Sequence, residues 1–276
     1  MSEINRPLKE QLKEIKENNY AITGDINYFE LTVEMLSRIG SPDPELRDDL
    51  IYLTLINWIL NDEYTIDQLK YILNLLLDQD HLFYKIGEQD SDSVFTRSFS
   101  VLQIVGILKA ERKKGFLSKQ ELGNIYLALI EYLTKEQDLR GYIGGKGWAH
   151  AIAHTADAIT ELSKLDSVNK NDLLKLLDVI RIKICTDKYV YINREDERMA
   201  DTVVNILNND LLDQVEIDNW IKGLSVFERT GDWVKDDTRY HNTKLFLRSI
   251  YFKIINNNDL TINLNQIIKT TLERLK

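Results

Sequence analysis

This chain has almost no cysteine, very little proline and no apolar run of membrane-spanning length. Its one cysteine, Cys185, excludes an internal disulfide, and no second Cys or spaced His stands near it to form a thiolate metal site. It sits in the apolar run Val179–Ile184 and is expected to pack as a small buried hydrophobe. No stretch reaches the roughly 18 apolar residues of a spanning helix. The start, Met1 to Pro7, has no apolar core of signal-peptide length, so the expected location is the cytoplasm, with no membrane partner. A basic excess is also missing: 35 Lys and Arg stand against 44 Asp and Glu, a net charge of −9. The one compact basic cluster, Arg112-Lys113-Lys114, falls at a predicted helix end, where cations suit the dipole. Nucleic acid is therefore not an expected partner.

What is present suits helices. A hydrophobic content of 43% with 29% charged residues excludes a disordered chain. The three prolines, Pro7, Pro42 and Pro44, leave everything after residue 44 free of the residue that breaks the helical hydrogen-bond ladder. Asp43-Pro44-Glu45 reads as cap, first-turn proline and first-turn acid. Thr65-x-x-Gln68, Ser118-x-x-Glu121 and Asn263-x-x-Gln266 have capping-box spacing or a close variant of it. Behind these signals apolar residues recur at three and four: Leu46, Leu50 and Leu53, with Asn57 next in register, mark one face, and Leu69, Ile72, Leu73 and Leu76 another.

The pattern predicts helices over 8–18, 26–39, 44–61, 66–78, 92–113, 119–136, 148–165, 171–186, 194–208, 214–226, 238–256 and 263–275. From residue 44 they form about five pairs, beginning near 44, 92, 148, 194 and 238, behind N-terminal capping helices in 1–43. That spacing is close to the HEAT and armadillo range, so the expectation is an all-α single domain over 1–276 of stacked helix pairs in an α-α superhelix. An irregular helical bundle is the alternative. The best internal echo is Phe95-x-Arg97-Ser98-Phe99 against Phe246-x-Arg248-Ser249-Ile250.

Polar residues gather in three places. The segment from Asp138 through Arg140 to Asp157 packs Gly141, Gly144, Gly145 and Gly147 ahead of Trp148, His150, His154 and Asp157. On a helix His150 and His154 lie one turn apart, about 6 Å along the axis, with Asp157 next on that face. Two imidazoles and a carboxylate on one stripe suit a divalent metal, yet Ala151 stands where the His-Glu-x-x-His motif has its glutamate. Hydrogen-bonded packing of the two rings is the alternative. A second cluster, Arg194-Glu195-Asp196-Glu197-Arg198, opens a helix and continues through Asp201 and Asn205. First-turn acids suit the dipole in any case. Third, Arg97 and Arg248 each interrupt an apolar helix, and a buried arginine needs a partner. Asp138, Asp157, Glu197 and Asp201 are the candidates; an exposed position at the edge of the apolar face is the alternative. The segment Phe227–Asp237 reads as a lid or a plain connection.

The blocks Arg97-Ser98-Phe99, Asp138-Leu-Arg140-Gly141, Gly147-Trp148-Ala149-His150-Ala151, Ala153-His154-x-Ala156-Asp157, Glu197-Arg198-x-Ala200 and Phe246-x-Arg248-Ser249 resemble a bacterial family, domain of unknown function 2785. The resemblance covers nearly the whole chain and implies a bacterial origin, but no particular chemistry.

If equivalent helices line one wall, Arg97, Arg140, Trp148, His150, His154, Asp157, Glu197, Arg198 and Arg248 would face one concave groove. Such a groove suits a small anionic molecule or a peptide, with Trp148 and Tyr142 stacking at its mouth; the more ordinary role for Trp148 is to anchor the glycine loop against the core. Two alternatives belong to other classes. One is a metal-dependent hydrolase or lyase with His150, His154 and Asp157 as ligands and Glu197 as base. The other is a protein–protein interaction scaffold.

Overall fold

A computed structural model describes residues 7–22, 27–255 and 261–275, and among them it is all-α with one minimal hairpin. In chain order the helices are α1 (Leu8–Glu17), α2 (Tyr28–Ser37), a π-helical run (Glu45–Tyr52) continuing into α3 (Leu53–Leu60), α4 (Ile66–Leu76), α5 (Ser93–Lys114) and α6 (Lys119–Lys135). The hairpin strands β1 (Tyr142–Ile143) and β2 (Gly147–Trp148) follow, then α7 (Ala151–Leu162), α8 (Lys170–Ile184), α9 (Glu195–Leu207), α10 (Gln214–Gly223), α11 (Trp233–Ile254) and α12 (Thr261–Arg274). Helix starts predicted near residue 26 and ends predicted at residue 256 fall outside the described residues, as do Met1–Arg6.

Local chemistry explains most of the boundaries. Thr65 and Gln68 close a capping box on α4, and Ser118 and Glu121 bond each other's amides at the start of α6. The Ser118 hydroxyl and amide also hold the Glu121 carboxyl down at about 2. Asn263 is no cap, because α12 already begins at Thr261. The predicted stripe Leu46, Leu50, Leu53, Asn57 is also shifted. The residues buried are Arg47, Leu50, Ile51, Thr54, Leu55, Trp58 and Ile59. The wider π turn moves the stripe along by a residue, which carries Arg47 inward.

The chain divides into two compact units, one of residues up to Ile125 with Glu136–His154, the other of Tyr126–Lys135 with the residues from Thr155 on. In the first unit α5 packs against α3 and α4 and is buried around nearly its whole circumference from Ser93 to Glu111. Gly106 permits the close approach to α3, since a Cβ there would lie 2.6 Å from Ile56 Cδ1. In the second unit α9 packs on α11 and α10 on α12, so equivalent helices of the last two pairs are neighbours. No helix among the described residues is long and apolar enough to cross a membrane. Cys185 is half-buried rather than fully enclosed, and burial of the thiol pushes it up to about 11.

Candidate functional site

The glycine cluster folds as a hairpin, not as the opening of a helix. Tyr142 pairs with Trp148 and Ile143 with Gly147, and the turn closes with the Lys146 amide donating to the Ile143 carbonyl at 3.0 Å. Gly147 has φ +82°, and a Cβ there would meet Arg47 Nη2 at 3.0 Å and Pro44 Cβ at 3.0 Å. Only glycine satisfies both demands. The contact with Arg47 seats the hairpin. Arg47, with none of its surface exposed, donates to the Lys146 carbonyl at 2.7 Å and the Ser41 carbonyl at 2.6 Å. Its guanidinium lies 4.0 Å from the Phe95 ring centroid and 4.9 Å from that of Phe99. Asp48 Oδ1 balances its charge at 2.7 Å from Nε, close but not aligned as a hydrogen bond. Burial lowers the arginine's pKa and raises that of Asp48, each shift opposed by the partner's charge.

Beyond β2 the chain turns sharply. The amides of Ala149 and His150 both donate to the Gly141 carbonyl, at 2.8 and 3.3 Å. His150 takes the left-handed conformation, φ +49°, and its carbonyl accepts the first bond of α7 from His154. The helix therefore starts at Ala151, three residues after its predicted start. A non-glycine residue at that φ is held by its surroundings at a cost of order 1–3 kcal/mol.

Five rings then run from the surface into the core. Tyr142, 55% exposed, packs edge-on against Trp148, 42% exposed, with centroids 4.9 Å apart. Trp148 stacks on His150 at 4.3 Å and 25°. His150 meets His154 edge-on at 5.9 Å, and His154, itself buried, meets Phe99 at 5.4 Å. Ser98 fixes the tautomer of the inner histidine. Its one hydroxyl proton goes to the Ala149 carbonyl, so it accepts from His154 Nδ1 at 2.8 Å. Neutral His154 thus carries its proton on Nδ1. Ser98 is not an activated nucleophile, because its proton faces a carbonyl rather than the imidazole.

Arg97 is not placed to line an open wall. Arg97 is fully buried and forks onto Glu136, with Nε–Oε2 at 2.7 Å and Nη2–Oε1 at 2.8 Å. Nη1 donates to Ser93 Oγ at 2.8 Å and the Tyr84 carbonyl at 3.0 Å, and Nη2 also to the Glu88 carbonyl at 3.3 Å. All five N–H groups are engaged within the protein, so Arg97 ties structure together and offers nothing to a ligand. Its partner is none of the four acids expected. Asp138 instead takes Arg140 in a two-pronged pair at 2.8 and 2.6 Å, and Arg140 also reaches the Ser91 carbonyl at 2.9 Å.

In the second unit Arg198 forks onto Asp157, with Nε–Oδ1 at 2.9 Å and a still shorter contact from Nη2 to Oδ2. Glu197 pairs with Arg194 at 2.8 Å, Asp201 with Lys253 at 2.6 Å, and Asp196 accepts from Ser249 at 2.6 Å. Arg248 is exposed and has no hydrogen bond or ion pair among the described residues. Among those residues, too, no group of three or more His, Cys, Asp and Glu is placed to hold a metal ion. Asp157, the third of the expected ligands, has its carboxylate on Arg198. The lid segment is shorter than read, because α11 begins at Trp233.

A model of the family described as Protein of unknown function (DUF2785) matches residues 82–252. The chain belongs to this family. No curated protein and no solved structure matches it significantly. The DUF2785 stretch contains the hairpin, both histidines, Ser98 and the Arg97–Glu136 pair, whereas Arg47 and Asp48, on which the hairpin rests, precede it. Reasoning from sequence missed Arg47, Asp48 and Glu136. Arg47 follows Asp43-Pro44-Glu45 in a run that reads as a solvated first turn, and Glu136 stands at the predicted end of a helix, away from the polar clusters. The one available hint was the glycine cluster itself, which implied that something approaches the backbone there.

Proposed function

We propose that this DUF2785 chain is a binding protein whose ligand presents a flat ring to the Tyr142–Trp148–His150 surface of the hairpin. The observation carrying this reading is the stack itself. An indole nearly half exposed is stacked on an imidazole at 4.3 Å and 25°, held by a left-handed residue and a hairpin anchored on a buried arginine. Rigid, half-exposed aromatic surface binds at little entropic cost, which is why such rings recur in recognition sites. The anionic-ligand expectation keeps partial support. From Arg140 to His150 the chain carries two cations and an imidazole and no acid, although Arg140 and Lys146 are paired with Asp138 and Asp92. A ring with an adjoining acidic or hydrogen-bonding group, on a small molecule or a peptide side chain, fits best.

Saturation-transfer NMR against aromatic carboxylates, nucleosides, disaccharides, Trp- and Tyr-containing peptides and linear dicarboxylates tests this. Ring-bearing compounds should receive magnetisation from the protein, and His150→Ala should weaken those with a polar group beside the ring. A response confined to the linear dicarboxylates would overturn the reading and favour a purely ionic site.

A further inference from the structure

The second unit holds a cleft of about 320 Å³ lined by Phe227, Arg229, Trp233, Asp236, Asp237 and Tyr240, from the segment entering α11 and its first two turns. Three aromatic rings and two carboxylates meet there. Two of the rings already carry a cation of the chain's own. The Arg239 guanidinium lies 5.7 Å from the Phe227 centroid, and the Lys244 ammonium 4.9 Å from that of Tyr240. Trp233 has none: it is 77% exposed and makes no ring or cation contact among the described residues. Indole is the ring that attracts cations most strongly.

The carboxylates differ in the same way. Asp236 is occupied, accepting from the Thr230 amide at 2.8 Å and hydroxyl at 2.8 Å, with Arg229 in its field. Asp237 is exposed at the cleft and has no hydrogen bond or ion pair among the described residues. The N-terminus of α11 opposes a cation here with roughly half a positive charge. Against this half charge, Arg229 and the Lys244 ammonium on the Tyr240 ring stand the carboxylates of Asp232, which caps that helix, Asp236 and Asp237, while Arg239 on the Phe227 ring is paired with Asp187 at 2.8 Å.

We propose that this cleft binds an organic cation of the methylated or quaternary ammonium class, its methyl groups on the face of Trp233 and its charge set against Asp237. Such a cation matches both halves of the lining, whereas a bare metal ion finds no ligand cluster there and an apolar group leaves the carboxylate unanswered. The same chemistry is carried by a free choline-like molecule and by a trimethylated lysine side chain. The proposal is independent of the hairpin site.

Calorimetry on the full chain tests it, with tetramethylammonium, choline, a short trimethyllysine peptide and 3,3-dimethylbutan-1-ol, the uncharged shape-mimic of choline. Saturable heat is expected for the ammonium probes, with the neutral alcohol at least about tenfold weaker. Trp233→Ala should abolish binding, Trp233→Phe should retain part of it, and Asp237→Asn should weaken it about threefold or more. Trp148→Ala should leave it unchanged. A peptide bound more tightly than choline assigns the cation to a protein tail, and the reverse order to a free small molecule; both support the site. Equal affinity for choline and the neutral alcohol, binding that survives Trp233→Ala, or no saturable heat with any ammonium probe would overturn it.

Discussion

Two helices of 22 residues, α5 in the first unit and α11 in the second, carry the same short motif, Phe-x-Arg-Ser. In both, the phenylalanine is fully buried. The arginines part company. Arg97 is enclosed, forked onto Glu136 and saturated by carbonyls, while Arg248 stands in solvent with no partner among the described residues. The difference comes from the surroundings of each helix. α5 is buried around almost its whole circumference, so a residue a half turn from Phe95 still faces protein. α11 buries a single stripe through Asn242, Thr243, Phe246, Leu247, Ile250 and Ile254, and the same step leads to water. An arginine's role therefore follows from what the rest of the fold brings to its helix, and repeated motifs need not line a common wall.

The comparison can be broken most easily at its buried end. Arg97→Leu leaves the Glu136 carboxylate enclosed without its counter-ion and should cost about 3–5 kcal/mol in urea unfolding. A loss under about 1 kcal/mol would mean the pair is not enclosed as described. Next in size is Ser98→Ala, which strips a hydrogen bond from the Ala149 carbonyl and from His154 and should cost about 1–3 kcal/mol. ¹⁵N spectra of the histidines sharpen this point, since neutral His154 should report the proton on Nδ1 in the wild type.

A pH measurement probes a buried acid of the second unit. Glu195 is 1% exposed, and burial raises its pKa above the ordinary carboxylate value. The folded chain then binds this proton more tightly than the unfolded chain. The group's contribution is harmless below the unfolded value and turns destabilising as pH rises through the folded one. Glu195→Gln should gain stability relative to wild type as pH rises through that window; a constant difference across it would contradict the assignment.

The exposed arginines come last. Arg198→Ala, breaking a half-exposed pair with Asp157, should cost less than about 1 kcal/mol, and less still at high salt. Arg248→Ala should stay within about 0.5 kcal/mol of wild type.

Helices were legible because their signals are local. Caps such as Thr65 with Gln68 act over three residues, and the stripe Leu69, Ile72, Leu73, Leu76 is buried as its spacing implies. The family was legible too, in the blocks around Gly147-Trp148-Ala149-His150. The hairpin was not, since two-residue strands are too short to show alternation and its glycines read only as a loop. Neither was the partner of Arg97, because Glu136 stands outside the polar clusters and the acids within them were better-looking candidates. The π turn that carries Arg47 inward has no sequence signature that periodicity can detect, and with Arg47 went the foundation of the site.

The most direct test sets Trp148→Ala against wild type with one ring-bearing ligand found by screening, recording thermal stability and calorimetric affinity on the same samples. An exposed indole bearing on the ligand, not on the core, predicts a melting temperature within a few degrees of wild type and at least about a tenfold loss of affinity. Unchanged affinity, or a collapse of the fold with binding intact in whatever remains folded, would place the ligand elsewhere and return the ring stack to a packing role.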